Sequence, residues 1–176
     1  MKRFRRFWGM VLLFGSIWLV SGIATESKPL YYPDLFIGFQ NENELNEAKK
    51  QGLNSTEVQI KEGVYYFITA TSLPDGDKKA RPLLEKAIKI FDQLWRQNRS
   101  DDQNTIRLAY TYTAICNTDI PLDDVMAYVF KARNLFSMVV IRSPQNMDAR
   151  LGMTHININL TPQTGRPDDV ILEDAK

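Results

Sequence analysis

The chain has 176 residues, of which 44% are hydrophobic, 11% aromatic and 24% charged, a mixture that excludes general disorder and suffices for one domain with a real core. Its formal charge of +1 reverses beyond the first residues: without Lys2, Arg3, Arg5 and Arg6 the chain carries 18 basic against 21 acidic residues, a balance of −3. That balance argues against a nucleic-acid partner, and a single cysteine, Cys116, excludes an internal disulfide framework.

The basic head leads into an apolar run from Phe7 to Val20 and then Gly22-Ile23-Ala24, the arrangement of a secretory signal over residues 1–24 cleaved after Ala24. An uncleaved membrane anchor is the alternative, because the apolar stretch to Ala24 approaches the shortest bilayer span. Either way the remainder is expected to be exported, to the periplasm or the medium of a bacterium, touching a membrane only through a retained N-terminus. Residues 25–55 read as an extended lead-in whose Leu30-Tyr31-Tyr32 and Leu35-Phe36-Ile37 pack on the following domain. Within it, Glu42 to Gln51 suits a short helix stopped at Gly52.

From Thr56 to Leu73 the apolar residues Val58, Ile60, Val64, Phe67 and Ile68 recur at roughly helical spacing, and Pro74-Asp75-Gly76-Asp77 turns the chain. A second helix carries the stripe Leu84, Ala87, Ile88, Phe91, Leu94 and Trp95; Pro82 must lie in its first turn, so it starts no earlier than about Lys79. Asp101 or Asp102 can cap a third helix running to about Asn117, and Asp123 a fourth that ends at Ser143-Pro144. A fifth opens at Asn146, runs to about Leu160 and turns through Thr161–Gly165, with a restart at Asp168 that leaves the last hairpin incomplete.

These helices repeat. Gly63-Val64-Tyr65-Tyr66 returns as Ala109-Tyr110-Thr111-Tyr112 and as Gly152-Met153-Thr154-His155, at intervals of 46 and 43 residues. The flanks agree as well: Thr105-Ile106-Arg107-Leu108-Ala109 aligns without a gap on Asp148-Ala149-Arg150-Leu151-Gly152. Such a period belongs to helical hairpins that bury their apolar faces by stacking on one another.

A small residue followed three positions later by an aromatic, as in Gly63 with Tyr66 and Ala109 with Tyr112, resembles the first helix of the tetratricopeptide repeat. Ala80 with Ala87, seven apart, resembles its second helix. The resemblance covers about residues 56–170, within a repeat domain set at 56–176, and departs in period, since the standard unit has about 34 residues; longer hairpins of the HEAT type remain an alternative. It implies an all-α fold, a right-handed α-solenoid of stacked antiparallel helical hairpins. It also implies a ligand face along the first helices, here Val64 and Phe67, then Arg107, Tyr110 and Thr113, then Arg150, Met153 and Asn157. Arg107 and Arg150, one repeat apart, would together hold a carboxylate by bidentate hydrogen bonds.

No catalytic set emerges beside this. His155 is the only histidine and occupies a repeat position filled elsewhere by Tyr66 and Tyr112, so it is expected to be packed. There is no zinc spacing and no phosphate loop, and the pairs Asp101-Asp102, Asp123-Asp124 and Asp168-Asp169 all fall at helix starts, where capping accounts for them. Cys116 is expected to be a small buried apolar residue. The expected function is a non-enzymatic, cofactor-free scaffold or adaptor of the bacterial envelope that binds a protein or peptide. The alternatives are a ligand-binding accessory subunit of an envelope transporter, its pocket lined by Tyr65, Tyr66, Tyr110 and Tyr112, and the N-terminal scaffold of a longer enzyme.

Overall fold

A computed structural model describes residues 35–74 and 76–164, with side chains as far as Ile158. These residues lie in the second of the two units into which the chain divides, Tyr31–Lys176. The expected signal over residues 1–24 and the restart at Asp168 fall outside the described residues. Among those described the structure is all-α, with six helices: α1 (Glu42–Lys50), α2 (Thr56–Thr71), α3 (Ala80–Gln97), α4 (Asp102–Ile115), α5 (Leu122–Arg142) and α6 (Met147–Thr164). None is long and apolar enough to cross a membrane.

Helix boundaries follow local chemistry. The side chains of Asn41, Ser55 and Asp101 accept the backbone N–H groups of Glu44, Val58 and Asn104 at the starts of α1, α2 and α4, and Asn146 Oδ1 accepts the N–H of Ala149 in the first turn of α6; each satisfies a donor that the helix itself leaves open. Gly52, at φ +65°, supplies the left-handed residue after α1. Gly76, at φ +79°, does the same in the turn that Asp77 N–H closes on Pro74 O at 3.0 Å. Pro82 falls in the first turn of α3, where its missing N–H has no helical partner to lose.

Three local expectations need correction. Asp123 is not the cap of α5: Pro121 stands there with no side-chain bond, and Asp123 and Asp124 lie in the first turn, where a negative charge favours the helix dipole. Ile68 is exposed, because the buried face of α2 is Gly63, Val64, Phe67 and Ala70. The backbone of α6 continues helical to Thr164 in place of a turn at Thr161; Pro162 stands so near the end that it removes one terminal hydrogen bond without dividing the helix.

Packing is sequential. α2 lies on α3, α3 on α4, α4 on α5 and α5 on α6, and α4 also meets α6. Phe91 of α3 and Phe136 of α5 are fully buried, and both are seated by a glycine. A Cβ on Gly63 would meet the Phe91 ring at 2.8 Å, and one on Gly152 would meet the Phe136 ring at 2.4 Å. Mid-helix glycine costs about 1 kcal/mol relative to alanine, and the ring seated against it accounts for its use here. The ends of α4 and α5 are tied by Arg142 Nη2 and Ser143 Oγ, both donating to the Asp102 carboxylate at 2.6 Å.

Candidate functional site

The lead-in residues Leu35 to Gln40 form a strap across the first helices. Leu35 and Phe36 are buried, whereas Ile37 is 64% exposed. Phe36 stacks on Phe67 of α2, with ring centroids 4.3 Å apart and 18° between planes, and meets Tyr110 of α4 edge-on at 6.3 Å. Tyr110 in turn lies edge-on against Phe136 at 4.9 Å and donates its hydroxyl to Asp148 O at 2.9 Å. A chain of rings therefore runs from α2 through the strap to α4 and α5. Each such contact is worth about 0.5–1.5 kcal/mol beyond the area it buries.

Arg107 completes the slot. Its Nε donates to Leu35 O at 2.7 Å, Nη1 to Asn104 Oδ1 at 2.7 Å and Nη2 to Gln103 Oε1 at 3.3 Å. All three acceptors are neutral. Burial pulls the guanidinium pKa below its ordinary value, with the charge of Asp101 opposing the shift. The strap then leaves over α2 through Gly38, where a Cβ would meet Val64 Cγ1 at 2.6 Å and Lys61 O at 3.0 Å. Beyond it, an open depression of about 760 Å³ lies between the strap and α1, lined by Ile37, Phe39, Ala48, Leu53 and Lys61 among others.

The structure thus gathers four of the residues expected on the ligand face, Val64, Phe67, Arg107 and Tyr110, beneath the chain's own strap, and buries all four. The other four are placed differently. Thr113 is half-buried and donates to Ala109 O at 3.1 Å. Met153 and Asn157 are buried in α6, and Arg150 is half-buried. Among the described residues the Arg150 side chain makes no hydrogen bond or ion pair, whereas Arg107 is engaged by Leu35 O, Asn104 and Gln103. The strap's role in this arrangement was missed by sequence reasoning, which placed Leu35-Phe36-Ile37 only as a packing patch.

Residues expected in the core divide. Tyr112 is buried, stacked on Tyr128 at 5.5 Å with Lys131 Nζ near both rings, and burial raises its phenol pKa. Tyr66 is half-buried: it donates to Glu62 Oε1 at 3.1 Å and accepts from Lys49 Nζ at 3.3 Å, which links α1 to α2. His155 is exposed, contrary to expectation. Cys116 is half-buried, and desolvation pushes its thiol up to about 11, so almost none is thiolate at neutral pH. Among the described residues no group of acidic, histidine or cysteine side chains is arranged to hold a metal ion. No family model, curated protein or solved structure matches the chain.

Proposed function

We propose that this chain is an exported, non-enzymatic scaffold of the bacterial envelope. Its hairpins continue as a right-handed tetratricopeptide-like solenoid and hold a protein or peptide segment in extended form. The observation that carries this reading is the seating of Leu35-Phe36. The strap is neither helix nor strand, its Leu35-Phe36 standing in a turn, and the face formed by α2 and α4 takes it by a ring slot and a hydrogen bond to a main-chain carbonyl. Such contacts recognise extended peptides in general, because the carbonyl belongs to every residue and the ring needs only one aromatic. Export is supported by the basic head and apolar run of residues 2–24.

Selection from a random peptide library tests the reading, with the wild type and Phe36→Ala both used as bait. Enrichment of a short motif by either bait, reduced when Phe67→Ala and Arg107→Ala are added, is the expected result. If neither bait enriches any motif, peptide binding is ruled out as the function.

A further inference from the structure

Resting on the peptide-binding reading above, we propose that Leu35-Phe36 is an internal stand-in, and that the true occupant of the slot is a partner's extended segment carrying a carboxylate beside an aromatic residue. The aromatic replaces Phe36 and the carboxylate takes Arg107.

Arg107 supplies the reason. It is a cation only 7% exposed whose hydrogen-bond acceptors are a carbonyl and two side-chain amides. Among the described residues no carboxylate pairs with it; Asp101 acts only through its field, being engaged at the start of α4 with Asn104. A buried guanidinium is stabilised far better by a carboxylate than by neutral oxygens, because the anion both neutralises it and accepts two parallel N–H bonds. Among its described residues the strap brings only Leu35 O. An acidic segment therefore has something to offer this site that the strap lacks, and that difference lets it compete with a covalently attached rival.

The ring contacts described for Phe36 are of a kind that another occupant can make. Phe36 is held by ring stacking on Phe67 and an edge contact with Tyr110, which any phenyl or phenol ring can reproduce. On the C-terminal side burial stops at the next residue, since Ile37 is mostly exposed. At Gly38 the chain touches Val64 closely enough that any larger residue would lift it, which offers a way to loosen the strap without removing a ring from the core.

Fluorescence anisotropy on the full chain, with labelled hexapeptides containing Glu-Phe or Gln-Phe, tests the proposal. Phe36→Ala should bind the Glu-Phe peptide at least tenfold more tightly than wild type does, and Gly38→Val should do the same should Phe36→Ala fail to fold. In either loosened variant Glu-Phe should exceed Gln-Phe at least tenfold, and adding Arg107→Gln should abolish that preference while the helical circular dichroism persists. Equal affinity of wild type and both loosened variants, or equal affinity for the two peptides, overturns the proposal. So does a wild-type dimer that Phe36→Ala abolishes, which would assign the slot to the strap of a second copy. Library motifs that bind wild type and loosened variants alike would leave the scaffold function standing while removing this occupant.

Discussion

In α4 the segment Arg107-Leu108-Ala109-Tyr110 is enclosed on every side, with Leu108 only 1% exposed; in α6 the matching segment Arg150-Leu151-Gly152-Met153 leaves Leu151 41% exposed and Arg150 half-buried. The two stretches share register and chemistry but differ in their neighbours. α4 is covered by α3, α5, α6 and the strap, whereas among the described helices α6 packs chiefly on α5 and, less, on α4. A residue's place in a repeat therefore does not settle its burial. The number of elements stacked against the helix does, because apolar area is removed from water only where something covers it.

The widest separation between the segments is expected from leucine truncation. Leu108→Ala should lose about 2–5 kcal/mol, the range for a fully enclosed leucine, and Leu151→Ala under about 1 kcal/mol, as at a partly exposed site. Urea denaturation measures both, and equal losses would show that α6 is covered in solution. Overpacking at the shared small position comes next. Gly152→Val drives a side chain into the Phe136 ring, and a loss of about 1–3 kcal/mol is expected from such crowding; a neutral result would mean that α6 shifts freely on α5.

The arginines should separate by less. Arg107→Ala leaves Leu35 O without its donor, a cost of about 1–3 kcal/mol, while Arg150→Ala should stay within about 0.5 kcal/mol. Thermal unfolding of the pair decides whether the strap depends on Arg107. At the helix starts the segments should agree: Asp101→Ala and Asn146→Ala each remove one cap and should each cost about 1 kcal/mol. A large difference there would mean that capping also answers to tertiary neighbours, against the view that it is local.

Much of the helical layout is legible in the sequence. The stripe through Leu84, Ala87, Phe91 and Leu94, the confinement of Pro82 to a first turn and the capping by Asp101 depend on spacings of a few residues, and the structure shows each of them. The small residues Gly63 and Gly152 also marked close approach correctly, with Phe91 and Phe136 as the rings they admit. Where local signals competed, the reading failed. Asp123 looked like a cap, but Pro121 with its fixed φ already stood at that position, and Pro162 looked like a stop, but so near a helix end it breaks little.

Of the candidate site, the sequence carried the helical positions and not the segment that covers them. The resemblance to the tetratricopeptide repeat, carried over by register, pointed to Val64, Phe67, Arg107 and Tyr110 as part of a ligand face, and these four lie together beneath the strap. That Leu35-Phe36 lies among them, about 70 residues earlier than Arg107, carries no periodic or local signal at all. The sequence by itself determined the helices, their caps and the small-residue contacts, since those depend on neighbours within a turn or two or on a repeated pattern. Only the tertiary structure decided which faces are closed, with His155 exposed, Tyr110 in the core and Arg107 beneath the strap. The physical reason is that burial and a buried charge's choice of acceptor depend on what stands opposite in space, and a repeat pattern says nothing of that.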